Sequence, residues 1–184
     1  MSFRFTPLEL PGLLLIDETR HRDARGFFAE TFRESAFRAA GITLPFVQDN
    51  HSRSSRGVLR GLHYQLPPKA QGKLIRVVQG EVFDVAVDLR RGAPTYGRWA
   101  GTRLSGDEGR MLWIPPGFAH GYLVLSETVD LTYKVTAEYD GALDRGVLWN
   151  DPAIGVRWPT EESLLSPKDQ ALPVLAQADN PFVA

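Results

Sequence analysis

Glu81-Val82-Phe83-Asp84-Val85-Ala86-Val87-Asp88-Leu89 alternates with a period of two: Phe83, Val85, Val87 and Leu89 share one face, and Asp84 and Asp88 take the other. That is a β-strand pattern. Working outward, Leu74 to Gln79 forms an apolar-rich strand on its N-terminal side, and Gln79-Gly80-Glu81 reads as a tight turn between the two. Val129 to Thr136 repeats the alternation, with Val129, Leu131 and Val135 set against Asp130, Thr132, Lys134 and Thr136. Arg110 to Ile114 and Gly121 to Leu125 read as two further strands around a Pro115-Pro116-Gly117 turn.

Glycine (17) and proline (13) are spread along the chain and punctuate many short strands. Glu34 to Ala40 is the one clear early helix, stopped by Gly41. In the polar tail from Pro159, Glu161 to Leu165 or Pro167 to Ala171 are expected to form helical turns. Many strands and few helices predict an all-β fold, a sandwich or jelly roll, which limits exposed sheet edges. With 184 residues and no repeat or linker, one domain spanning 1–184 is expected.

Lys plus Arg (21) balances Asp plus Glu (22), so nothing electrostatic points to nucleic acid or membrane. The absence of cysteine removes disulfide frameworks, thiolate metal sites and thiol nucleophiles. The N-terminus lacks the pattern of a secretory signal, and Leu13 to Ile16 is too short to cross a bilayer, so a soluble, cytoplasmic protein is expected.

Four groups of residues are candidates for chemistry. In Arg60-Gly61-Leu62-His63-Tyr64-Gln65, His63 shares a strand face with Gly61 and Gln65, while Arg60 points the other way unless Gly61 carries a bulge. Alone, this reads as an edge strand with a solvated Arg and His. Lys73 changes that, because a hairpin through Pro67-Pro68-Lys69 would bring it beside His63. Tyr133 lies on the apolar face of its strand and is either a core tyrosine or a phenol aimed into a barrel lumen. Ser166-Pro167-Lys168-Asp169 reads as a helix start with Ser166 as cap, from which Asp169 is able to reach back to His63.

The fourth group, Pro115 to Gly121, resembles the second motif of the cupin superfamily: Gly109, Pro115, Gly117 and His120 match, and Val124 stands where that motif has Asn. The first cupin motif has a His-x-His pair and a later Glu, whereas this chain has His63-Tyr64-Gln65 and no acid before Gln79. Two histidines make a poor metal site, so no metal is expected.

Taken together, several segments resemble the dTDP-4-dehydrorhamnose 3,5-epimerase family, from about Phe5 to Asp169. They are Asp23-x-Arg25-Gly26-x-Phe28-x-Glu30, Gln48-Asp49-Asn50, Arg60 to Gln65, Gly72-Lys73-Leu74, Gly80 to Val85, Trp113 to Gly121, Tyr133-Lys134 and Ser166 to Asp169. The resemblance implies a cupin-type jelly-roll barrel that needs no cofactor and works as a homodimer on a nucleotide sugar. It implies His63 as general base oriented by Asp169, Tyr133 as general acid on the opposite sugar face, and Lys73 as the group that stabilises an enolate oxygen. Arg25, Phe28, Glu30, Gln48, Asn50, Arg60, His120 and Lys168 match positions that hold the nucleotide sugar, and Tyr139 matches an aromatic that stacks on thymine. One acidic contact that is usually Glu is Asp144 here. A metal-dependent cupin and a sugar-binding barrel without activity are the competing readings. The first lacks ligands in this sequence, and the second has no reason to keep base, acid and lysine together.

Overall fold

The computed structural model describes residues 2–160 and 162–184. Among them the strands are β1 (Phe3–Pro7), β2 (Leu14–Glu18), β3 (Arg20–Asp23), β4 (Gly26–Ala29), β5 (Gln48–Ser55), β6 (Leu59–Gln65), β7 (Lys73–Gln79), β8 (Glu81–Asp88), β9 (Trp99–Ser105), β10 (Arg110–Ile114), β11 (Phe118–Val124), β12 (Thr128–Val135) and β13 (Asp144–Gly146). Helices are few, as expected: α1 (Glu34–Ala39), α2 (Pro167–Gln170) and a 3-10 turn at Leu175–Gln177. The helical turn expected to begin at Glu161 starts outside the described residues; within 162–165, Leu164 instead makes a parallel bridge to Val58.

Two antiparallel sheets form a jelly-roll sandwich, one ordered β1-β2-β10-β7-β12-β5 and the other β13-β6-β11-β8-β9. The hairpin β3–β4 stands apart as its own small sheet. Strands adjacent in sequence therefore often belong to different sheets. The Gly80 turn joins β7 to β8 as a corner between sheets, and the Pro115-Pro116-Gly117 turn does the same for β10 and β11. The hairpin expected between β6 and β7 does not form, because those strands also lie in opposite sheets.

Strand β8 departs from a simple alternation of buried and exposed faces. Both of its faces are buried, with Val82, Asp84, Val85, Ala86, Val87 and Asp88 at 0% exposure. Val82 and Ala86 pack between the sheets with Ile75, Val77, Val129 and Leu131, so the face that carries Asp84 turns inward. Val85 and Val87 pack outward under the C-terminal tail, against Val147, Ile154 and Leu175. Burying a side chain of Val or Leu size stabilises by roughly 1.5–3 kcal/mol, which is enough to hold the tail on the sheet. A third cluster on the outer face of the other sheet joins Phe37 of α1 to Leu74, Met111 and Trp113. Buried carboxylates need partners; Asp88 has Arg90 Nη2 at 2.7 Å and Thr95 Oγ1 at 2.6 Å, and Asp84 has His120 Nε2 at 3.0 Å.

Among the described residues no helix is long and apolar enough to cross a membrane.

Candidate active site

The interior of the sandwich opens into a cavity of about 540 Å³ lined by residues of both sheets and of the α2 segment, including Arg60, His63, Lys73, His120, Tyr133, Lys168 and Asp169. A bulge in β6 gives it one wall. His63 pairs with His120 and Arg60 pairs with Tyr122, so three steps along β6 match two along β11. The extra residue turns Arg60 to the same side as His63, where a regular strand would oppose them. Gly61 makes this possible: its φ is +131°, and a Cβ there would sit 2.5 Å from Gly121 Cα.

His63 Nε2 lies 2.6 Å from Asp169 Oδ1. Ser166 caps α2 by accepting the Asp169 amide hydrogen at 3.1 Å, with Pro167 in the first helical turn. The Gly61 amide donates to the second Asp169 oxygen at 3.4 Å. Burial alone would raise the Asp169 carboxyl, but the hydrogen bond from His63, its charge and the Gly61 amide outweigh that and hold it below the usual carboxylate range.

On the opposing sheet, β7 and β12 pair Lys73 with Val135 and Tyr133 with Ile75, which sets the Lys73 and Tyr133 side chains on the inner face. Lys73 reaches across the interior, not along a hairpin, and donates to the His63 carbonyl at 3.3 Å. Burial pushes its ammonium down to about 8, although Asp144 and Asp84 pull upward. Burial also raises the Tyr133 phenol, helped by Tyr122 and Asp144 and opposed by Arg60.

His120 is buried, and its Nε2 lies 3.0 Å from both oxygens of Asp84. Each of the two inward histidines thus commits Nε2 to a carboxylate, and among the described residues no group of three His, Cys, Asp or Glu side chains is placed to hold a metal ion. Arg60 donates through Nε and Nη2 to Ser54 Oγ, each at 3.1 Å.

At the other end of β6, Asp144 pairs in register with Gln65 and accepts the Tyr139 hydroxyl at 3.2 Å and the Lys168 ammonium. That hydrogen bond raises Lys168 above its ordinary value, and the Asp144 charge raises Tyr139. Gln48 accepts the Tyr139 amide hydrogen at 2.8 Å and donates to Asn50 Oδ1 at 2.8 Å. Gln48, Asn50, Tyr139 and Asp144 thus form one hydrogen-bonded chain that Lys168 joins to the cavity wall, although none of the four lines the cavity itself.

Arg25, Phe28 and Glu30 are not brought there. Arg25 and Phe28 lie on or beside the β3–β4 hairpin, Arg25 pairs with Asp23, and Glu30 lies 3.7 Å from Arg33. None of the three belongs to the cavity wall. Conversely, Ser52, Tyr122, Val58, Leu59, Leu164 and Leu165 line the cavity and Asp84 holds His120, although the sequence does not mark them as site residues. Asp84 alone carries a signal, as a carboxylate set in an otherwise apolar strand.

Residues 7–177 match the family described as dTDP-4-dehydrorhamnose 3,5-epimerase. A Pseudomonas aeruginosa protein named dTDP-4-dehydrorhamnose 3,5-epimerase is 52% identical over 176 residues, 95% of this chain and 97% of that one. A Streptomyces niveus relative named dTDP-4-dehydrorhamnose 3-epimerase is 41% identical, over 95% of this chain and 85% of its own. The structure of the Legionella pneumophila 3,5-epimerase in complex with dTDP-4-keto-L-rhamnose superposes with a TM-score of 0.92 at 46% identity, covering 95% of this chain and 94% of that one. From the interior cavity to the order of its motifs, this chain belongs to the dTDP-4-dehydrorhamnose 3,5-epimerase family.

Proposed function

We propose that the chain is a nucleotide-sugar isomerase that inverts carbons 3 and 5 of dTDP-4-keto-6-deoxy-D-glucose to give dTDP-4-keto-L-rhamnose. The observation that carries this is a single cavity with a carboxylate-bound imidazole on one sheet, a phenol on the facing sheet and a buried lysine.

Both reacting protons lie beside the carbon 4 ketone, so one enolate-stabilising group serves both inversions. Asp169 accepts the His63 Nε2 hydrogen, which leaves Nδ1 as the lone pair that takes the carbon-bound proton. The electron pair of that bond moves onto the ketone oxygen. The Lys73 ammonium, still mostly protonated at neutral pH with its value near 8, meets the developing charge in a site shielded from water. Tyr133 then delivers its hydroxyl proton to the same carbon from the opposite face, which inverts the centre. Proton exchange with solvent restores the imidazole and the phenol. Arg60 and Lys168 supply positive charge for the diphosphate, and Tyr139 and Gln48 frame the base.

The chain acts as one domain and as a homodimer. The tail packed under β8 supports the first. The second is supported by Phe27 and Phe28, which are 50% and 72% exposed on a hairpin whose Arg25 and Glu30 do not reach their own cavity. A partner's cavity is the site they would complete. The cytoplasm suits a chain with no cysteine acting on a nucleotide sugar.

The test is the configuration of the product. Incubation with dTDP-4-keto-6-deoxy-D-glucose, borohydride trapping and proton NMR should yield 6-deoxy-L-sugars inverted at both carbons. Inversion at carbon 3 alone would make the chain a single-site epimerase, and an unchanged sugar would overturn the reading.

A further inference from the structure

We infer that the apolar end of the cavity seats the 6-methyl group of the sugar, and that Val58 and Leu165 set the preference for a 6-deoxy sugar over its 6-hydroxy counterpart. This rests on the nucleotide-sugar reading above.

Ten of the fourteen residues that line the cavity carry a polar group on the side chain. The purely hydrocarbon side chains in it are Val58, Leu59, Leu164 and Leu165. A parallel bridge sets Val58 beside Leu164, with the Leu59 amide donating to the Leu164 carbonyl at 2.9 Å and the Leu164 amide to the Gly57 carbonyl at 2.7 Å; Leu59 is buried and Leu164 is 61% exposed, so Val58 and Leu165 are the half-buried members of this hydrocarbon patch. The patch lies at the Leu59 end of β6, whereas Asp144 and the Tyr139 loop meet the Gln65 end. The thymine end and the hydrocarbon end are thus opposite ends of one strand.

Connectivity in the substrate selects the group that lands on this patch. The 6-methyl is bonded directly to carbon 5, one of the two carbons His63 deprotonates, so it must lie next to the base. The segment that supplies Asp169 to His63 also supplies Leu165, four positions earlier. Leu165 is half-buried, and Val58 packs against the interior core. A hydroxyl added to the methyl would be desolvated there without a partner. An apolar pocket rejects an added hydroxyl by roughly tenfold to a hundredfold.

dTDP-glucose and dTDP-6-deoxyglucose differ only in that hydroxyl, and neither has a ketone, so binding is read without turnover. Titration calorimetry on the wild-type protein should give a roughly tenfold to hundredfold tighter Kd for the 6-deoxy sugar. Val58→Thr, which keeps the side-chain volume, and Leu165→Asn should each bring that ratio close to one while the Kd for dTDP stays unchanged. A wild-type ratio near one, or a ratio that both variants leave intact, overturns the assignment. So does a Leu165→Asn protein that instead loses discrimination between dTDP and dUDP, because the patch would then hold the thymine methyl. If neither sugar nucleotide binds, the nucleotide-sugar reading itself falls; if both bind equally, only this inference does.

Discussion

His63 on β6 and Asp169 in α2 stand 106 positions apart in sequence and 2.6 Å apart in space. The contact exists because the tail returns across the sheet, is tied at Leu164, and starts a capped helical turn whose first residues face the cavity.

Asp169→Asn keeps the shape and removes the charge. Turnover is expected to fall on the order of a hundredfold, because the amide no longer fixes the basic tautomer or favours the imidazolium. Stability follows the sign of the shift. Asp169 titrates below its ordinary 3.8, so its contribution is present above that pH and is lost as pH falls through the lower folded value. The gap in melting temperature between wild type and Asp169→Asn should therefore be widest near neutrality and narrow below pH 3.8, as scanning calorimetry across pH will show.

Lys73 carries the alkaline limb. Its ammonium loses its proton near pH 8 in the folded chain instead of 10.5, so kcat/KM should decline above about pH 8. Between those two values the unfolded chain binds more protons, and stability should rise with pH. Lys73→Met is expected to lower kcat by roughly a hundredfold to a thousandfold, to abolish that rise, and to melt higher than wild type at pH 7. Rate profiles and thermal melts of the two proteins check both.

Gly61→Ala strikes the bulge. The added carbon meets Gly121 Cα at 2.5 Å on a backbone at φ +131°, where side chains are strained. A cost of about 1–3 kcal/mol, or roughly 2–10 °C in melting temperature, is expected. Activity should fall further than stability because Arg60 and His63 lose their shared face.

Mixing tests the dimer. Arg25→Ala and His63→Asn homodimers should each be impaired. If the hairpin completes the partner's site, mixed dimers contain one site free of both changes, and re-equilibrated mixtures should recover roughly a quarter of the wild-type rate. No recovery, or a monomer by light scattering, would leave Arg25 outside the site.

Elements are more legible in the sequence than their pairing. Period-two runs locate β8 and β12, runs set against Gly and Pro turns locate β7 and β10, and Ser166-Pro167 marks the capped start of α2, because alternation, turns and capping are local. The choice of sheet is not local. A corner between sheets, such as Gln79-Gly80-Glu81, and a hairpin turn look alike in sequence. Lys73 is therefore expected beside His63 along a hairpin and instead arrives across the sandwich. Asp84 illustrates the same limit: its partner His120 is 36 positions away, so nothing nearby signals that its side chain turns inward. The direction of Arg60 is readable only as a condition, a bulge at Gly61, which depends on pairing with β11.

The mechanism proposed above puts a base on one sheet and an acid on the other, acting on opposite faces of each of two successive enolates. The measurement that tests it most directly is deuterium incorporation at carbons 3 and 5 of dTDP-4-keto-6-deoxy-D-glucose in heavy water, compared between wild type, His63→Asn and Tyr133→Phe. Wild type should carry deuterium at both carbons with inversion, and His63→Asn should show no incorporation above background. Tyr133→Phe should show incorporation with inversion reduced at least about tenfold. Wild-type labelling rates in His63→Asn, or undiminished inversion in Tyr133→Phe, would contradict the claim.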